Sequence, residues 1–194
     1  MAVVGIAVLL FWPGPTTYHA NVFYNASFER PFPSKKLSPL CRRACFERLY
    51  SLHSVTAGTA VVLRYRKDID VARFGVDDEQ FEEVSLSLPS NILGKAIELP
   101  HAGVDVYVTK GAAAWFSFCN GKYGDKIRGK LYTYVDGLNV HVEAQFSADL
   151  VNARNLEEVT EDFRIVNNFE PSSLANARRK VPKNAFEPHC GDSN

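Results

Sequence analysis

The chain has 194 residues, 46% of them hydrophobic, with 13 Phe and 8 Tyr, which is apolar material enough for one packed domain with appendages. Lysine plus arginine and aspartate plus glutamate balance at 22 each, so no global field draws the chain to nucleic acid or to an anionic membrane. The sequence contains no dinucleotide-binding glycine fingerprint, P-loop, Gly-x-Ser-x-Gly elbow or His-Glu-x-x-His pair. Its five histidines, His19, His53, His101, His141 and His189, are scattered, so no motif specifies a reaction, a metal or a cofactor.

Met1 to Trp12 is an uncharged apolar run of signal-peptide length, too short to span a bilayer comfortably, and Pro13-Gly14-Pro15 ends it. Only the α-amino group charges its head, and Tyr18-His19-Ala20 is a poor cleavage site. Residues 1–15 are therefore expected to be a signal peptide or an uncleaved membrane anchor, with a buried first strand as the competing reading. Export places the protein outside the cytoplasm, periplasmic or secreted. It also favours disulfides among Cys41, Cys45, Cys119 and Cys190. Zinc is the weaker reading of these cysteines, because Cys-x-x-x-Cys with two isolated partners lacks zinc-site spacing. Free buried thiols are the expectation if the chain is cytosolic. Asn25-Ala26-Ser27 matches the N-glycosylation pattern, which has meaning only in a eukaryotic secretory pathway.

Residues 16–37 carry Tyr18, Phe23, Tyr24, Phe28, Phe32, Pro31 and Pro33 without a regular period, and read as an extended segment lying across the surface. A single domain is expected over 38–170. It opens with the clearest helical pattern. Ser38 is a good N-cap, Pro39 suits the first helical position, and Leu40, Cys41, Ala44, Cys45, Leu49 and Leu52 recur every three to four residues. Cys41 and Cys45 then lie one turn apart on the buried face, better placed to reach Cys119 and Cys190 than each other.

Gly58 to Arg66 is rich in β-formers, Asp77-Asp78-Glu79 reads as an acidic loop, Val84 to Leu88 alternates until Pro89 stops it, and Ala96 to Leu99 reads as a short strand. From Leu138 to Leu150 every even position is apolar and every odd one polar, the mark of a half-buried strand. Asp136-Gly137 before it suits a type I′ turn. With those two residues as the loop, Val135 faces Leu138, Thr133 faces Val140, Leu131 faces Val142, Gly129 faces Ala144 and Ile127 faces Phe146. Tyr132 then meets His141, and Lys130 meets Glu143. Asn120-Gly121 as a second turn pairs Phe118 with Tyr123 and Ala114 with Ile127. The expected result is a three-stranded meander over 104–119, 122–135 and 138–150, with Lys110 the misfit on its apolar face. Leu156 to Phe163 is ambiguous between helix and turn, Phe163 to Val166 reads as a strand, and 171–194 as a polar tail.

The outer face of this meander gathers Tyr107, Trp115, Tyr132, Tyr134, Asn139, His141 and Glu143, aromatic rings among hydrogen-bonding groups, which suits a protein partner or a sugar. His141 and Glu143, two residues apart, also fit acid–base work or metal ligation, against the simpler reading of ion pairs on a solvated face. A third reading has Cys119 bonded to Cys41 or Cys45, pinning the helix over the same face.

The expected fold is α+β: one amphipathic N-terminal helix on an antiparallel sheet, in a sandwich or open barrel. The expected function is that of an exported, non-enzymatic binding protein, an inhibitor or immunity-type protein. A carbohydrate-binding module stands second and a hydrolase using His141 and Glu143 third. No catalytic residue, metal or cofactor is assigned, and contact with membrane is expected only through the N-terminal segment.

Overall fold

A computed structural model describes residues 16–29, 54–69, 80–112, 121–152 and 157–177. The expected helix over 38–52 and all four cysteines lie outside these residues. The described chain is almost entirely strand: β1 (Thr16–Glu29), β2 (Ser54–Ala57), β3 (Ala60–Ile69), β4 (Gln80–Leu88), β5 (Ala96–Leu99), β6 (Asp105–Ala112), β7 (Lys122–Asp136), β8 (Asn139–Asn152) and β9 (Glu158–Pro171). Helical structure among them is limited to a 3-10 turn at Ser90–Ile92 and a short helix, α1 (Leu174–Ala177). Among the described residues the architecture is a closed, seven-stranded β-barrel, which corrects the expected α+β sandwich or open barrel.

The wall runs β1-β3-β4-β6-β7-β8-β9, and β9 returns to β1. Neighbours around the wall are antiparallel until this last step. Direction cannot alternate all the way around a ring with an odd number of strands. One pairing must be parallel, and it is the closing one, Asn21 with Glu170 and Val22 with Pro171. Pro171 has no N–H to extend the ladder, and Ser172 N–H donates to Val22 O at 2.9 Å just beyond it. Closure removes the open sheet edges that an unrolled sheet of this size exposes. β2 pairs with the end of β1, and β5 with the middle of β7.

Every second side chain points into the barrel. Leu63, Val84, Leu86, Leu88, Val108, Leu131, Val140, Val142, Ala148, Leu150, Ile165 and Phe169 are among the fully or nearly fully buried members of this interior. Phe146 and Phe163, opposite each other on β8 and β9, stack with ring centroids 5.3 Å apart. β1 and β3 are also buried on their outer faces, where Phe23, Ala26, Val55, Val62 and Ala177 form a second cluster with Phe28 and Leu174. Residues 16–29, read from the sequence as a surface segment, are thus a strand of the wall. Burial on both faces removes alternation, so Val61, Val62 and Leu63 form an unbroken apolar run.

The β7–β8 hairpin is present with a shifted register. Asp136 pairs with Asn139, Val135 with Val140, Thr133 with Val142, Leu131 with Ala144 and Gly129 with Phe146. The loop is Gly137-Leu138, with Gly137 at φ 60° and Leu138 outside the left-handed region. That is the type II′ arrangement, with glycine at the first central position, in place of the expected I′ turn with glycine at the second. Partners move by two residues, so each side chain keeps its face while its neighbour changes. Leu138 and Val135 are 67% and 38% exposed at the hairpin tip, outside the core expected for them.

The β6–β7 register departs further. Val108 pairs with Gly124, Thr109 with Tyr123 and Lys110 with Lys122, and β6 ends at Ala112. The expected pairings of Ala114 and Phe118 fall outside the described residues, and the register that the second turn implies is replaced by Val108 with Gly124. A bulge between Tyr123 and Lys126 bends β7, which pairs with β6 before it and with β5 after it. From Glu158 onward the stretch read as helix or turn belongs to β9, one continuous strand.

Lys110 is no misfit once the barrel is closed. It shares the inward parity of Val108 and meets Glu82 across β4 at 3.3 Å and Glu161 on β9 at 2.7 Å. Lys122 meets the other oxygen of Glu161 at 2.6 Å. Burial alone would raise the Glu161 carboxyl, but hydrogen bonds and charge from Lys110 and Lys122 outweigh it and hold the group below its ordinary value. Burial would lower Lys110, and its two carboxylates outweigh that and raise it. At the same end of the barrel, burial pushes the Tyr65 phenol up to about 12, reinforced by the charges of Tyr18 and Glu82.

Candidate functional site

The outer face of β7, β8 and β9 presents side chains in cross-strand rows. Tyr134, His141 and Asn168 form one row, Tyr132, Glu143 and Val166 the next, and Lys130, Gln145 and Arg164 a third. β5 adds Ala96 beside Tyr132 and Glu98 beside Lys130. Each row follows from the period-two alternation of β8, whose inward partners Val140, Val142 and Ala144 are buried.

Three large apolar or aromatic groups stand in solvent here: Tyr134 and Val166 at 55% exposed and Tyr132 at 40%. The polar groups between them are held in place. His141 Nδ1 lies 2.7 Å from Asn168 Oδ1, and Nε2 lies 3.3 Å from Glu143 Oε1. With its hydrogen on Nδ1 the ring donates to the Asn168 carboxamide oxygen, which fixes the imidazole plane above the sheet. Lys130 meets Glu98 at 3.7 Å between two highly exposed side chains, a contact worth little in water. Ala96, Ile97, Glu98, Tyr132, Gln145 and Arg164 are among the residues lining an open groove of about 640 Å³ along this face.

The expected site residues divide. Tyr132, Tyr134, His141 and Glu143 are brought together on this face. Asn139 stands at the hairpin tip opposite Asp136. Tyr107 is 2% exposed and packs with Tyr123 in a separate cluster with Phe28 and Val151. It lies away from the exposed face because the β6–β7 register expected from the second turn is not adopted. Trp115 is outside the described residues. Tyr132 faces Glu143 instead of His141, and Lys130 faces Gln145 instead of Glu143, both consequences of the two-residue shift.

Arg164, Val166 and Asn168 complete the face and were not anticipated from the sequence. Their signal was present: Phe163, Ile165 and Phe169 alternate with them, and the inward Asn167 interrupts the apolar series. Among the described residues no group of three or more His, Cys, Asp or Glu side chains is arranged to hold a metal ion. No helix among them is long and apolar enough to cross a membrane.

Fold and site together define a small closed β-barrel with a rigid, mixed aromatic and polar outer face. Comparison with protein-family models, with curated proteins and with solved structures yields no match to the chain.

Proposed function

We propose that this chain is a non-enzymatic binding protein that docks another protein on the outer face of β7, β8 and β9, in the manner of an exported inhibitor or immunity-type protein. The observation that carries this reading is the juxtaposition of exposed Tyr132, Tyr134 and Val166 with His141, which bonds Asn168, and with Glu143 beside it. Tyrosine rings supply contact area at small entropic cost, and a sheet holds them in place before the partner arrives. The apolar run at residues 1–12 and the even number of cysteines support an extracytoplasmic setting.

Affinity capture from the native envelope fraction, repeated with Tyr134→Ala and Val166→Asp, tests the reading. The expected result is one stoichiometric protein partner. Its affinity, measured with purified components, should fall roughly tenfold or more in each variant, the loss typical of a central contact. A partner that binds both variants as tightly as the parent contradicts the proposal.

The groove beside Tyr132, flanked by Glu143, Gln145 and Arg164, favours a carbohydrate as the second reading. A glycan array response that is lost in Tyr132→Ala, with no protein partner captured, would replace the first reading by the second.

A further inference from the structure

Four arginines lie among the described residues, and three of them are engaged. Arg64 donates to Ala177 O at 3.1 Å, Arg66 clamps Asp68 at 2.7 and 2.8 Å and also meets Glu83, and Arg128 meets Asp149 at 2.8 Å. Arg164 has no hydrogen-bond or ion-pair partner among the described residues and stands exposed along the groove. Each carboxylate around it has a contact of its own. Glu143 is met by His141, Glu98 by Lys130, and Asp162 by Ser147 Oγ at 2.6 Å. Gln145, directly across from Arg164 on β8, also has its carboxamide free of partners among the described residues.

We propose that Arg164 and Gln145 form a carboxylate-reading site, and that the groove takes an acidic segment of the protein partner. The inference rests on the docking role given to this face above. A guanidinium presents two parallel N–H donors matched to a carboxylate, and directly opposed side chains on adjacent strands are about 5 Å apart, so the Gln145 amide can donate to the same anion. Tyr132 and Val166, one row away, supply apolar contact for the side chain next to the acid. The acids and bases lining the groove balance, Glu98 and Glu143 against Lys130 and Arg164, so the preference rests on the two free donors and not on net charge.

The probe is an acetylated, amidated peptide of alternating glutamate and tyrosine, titrated into the full-length protein and followed by backbone amide shifts. The same peptide with glutamine for glutamate is the comparison. Shifts should map to 129–132, 143–146 and 163–167, and the glutamate peptide should bind roughly tenfold more tightly at low salt. Added salt should narrow the difference. Arg164→Gln should abolish the preference between the two peptides, while Tyr132→Ala should weaken both. Equal binding of the two peptides, a preference that survives Arg164→Gln, shifts that map elsewhere, or no binding of either peptide overturns the inference. If Tyr134→Ala releases the captured partner and Arg164→Gln does not, the carboxylate site fails while the docking face stands.

Discussion

Gly129 shows how one residue sets the spacing of two strands. It sits opposite Phe146, and a Cβ built there would lie 2.3 Å from Gln145 O and 2.4 Å from Phe146 Cα. Those are backbone atoms of the adjoining strand, so β8 cannot swing clear as a flexible side-chain end would. Gly129→Ala is expected to destabilise the fold by about 1–3 kcal/mol, the usual cost of overpacking a filled interior. Urea denaturation of parent and variant measures it, and a variant of equal stability would mean that β7 and β8 are not this close at residue 129. From sequence alone Gly129 reads as a small residue facing Ala144. The interior parity of that reading is right, but the strict requirement for glycine depends on Phe146 being the true neighbour. Gly137 hides its meaning similarly. Asp-Gly suits a type I′ loop by composition, and only the positive φ at the first central position reveals that the loop has moved on by one residue.

Elements with one buried face are legible; elements with two are not. From Asn139 to Leu150 β8 alternates without exception because solvent bathes its outer side, and its strand character follows directly from the sequence. β1 and β3 pack on the barrel interior inside and on the Val55–Ala177 cluster outside, so their apolar residues run together and the period disappears. The Tyr132, Tyr134, His141 and Glu143 part of the candidate face is legible for the same reason as β8. The Arg164, Val166 and Asn168 part is not, because it requires knowing that β9 lies beside β8.

The ion cluster joining β4, β6, β7 and β9 also belongs to this scale, since its members are neighbours only after the strands pair. Glu161 has its carboxyl held below the ordinary 4.5 by Lys110 and Lys122. A depressed acid contributes stability above its unfolded value, and the contribution disappears as pH falls through the folded value. Glu161→Gln should therefore cost about 1–3 kcal/mol near neutral pH, where charged hydrogen bonds to both lysines are lost. The gap between parent and variant should close in acid. Thermal unfolding from pH 7 down to pH 3 measures it; a gap constant across that range contradicts the assignment of Glu161 as the ionised link.

At the scale of the whole molecule, the closed ring is the feature that strand-by-strand reading cannot supply. Turn chemistry and alternation specify local pairs, but whether a sheet closes depends on its first and last strands meeting. Here β1 and β9 are separated by most of the chain and share only two paired positions, in the parallel sense that an odd strand count demands. Closure gives the β7–β8–β9 face a rigid base, because the interior behind Tyr132 and Glu143 is packed by Leu131, Ala144 and Ile165. Rigidity at the recognition surface is therefore a property of the barrel as a whole and not of the hairpin that carries most of the exposed rings.

The most direct measurement is a proton NOE spectrum of the isotope-labelled protein, read at two places: the seam between Asn21–Val22 and Glu170–Pro171, and the β7–β8 ladder. Cross-strand contacts linking β1 to β9 at the seam, with Leu131 facing Ala144 and Gly129 facing Phe146, are the expected result. Missing β1–β9 contacts beside an intact ladder, or a ladder placing Leu131 against Val142, would mean an open sheet or a different register, and the rows that build the proposed docking face would come apart.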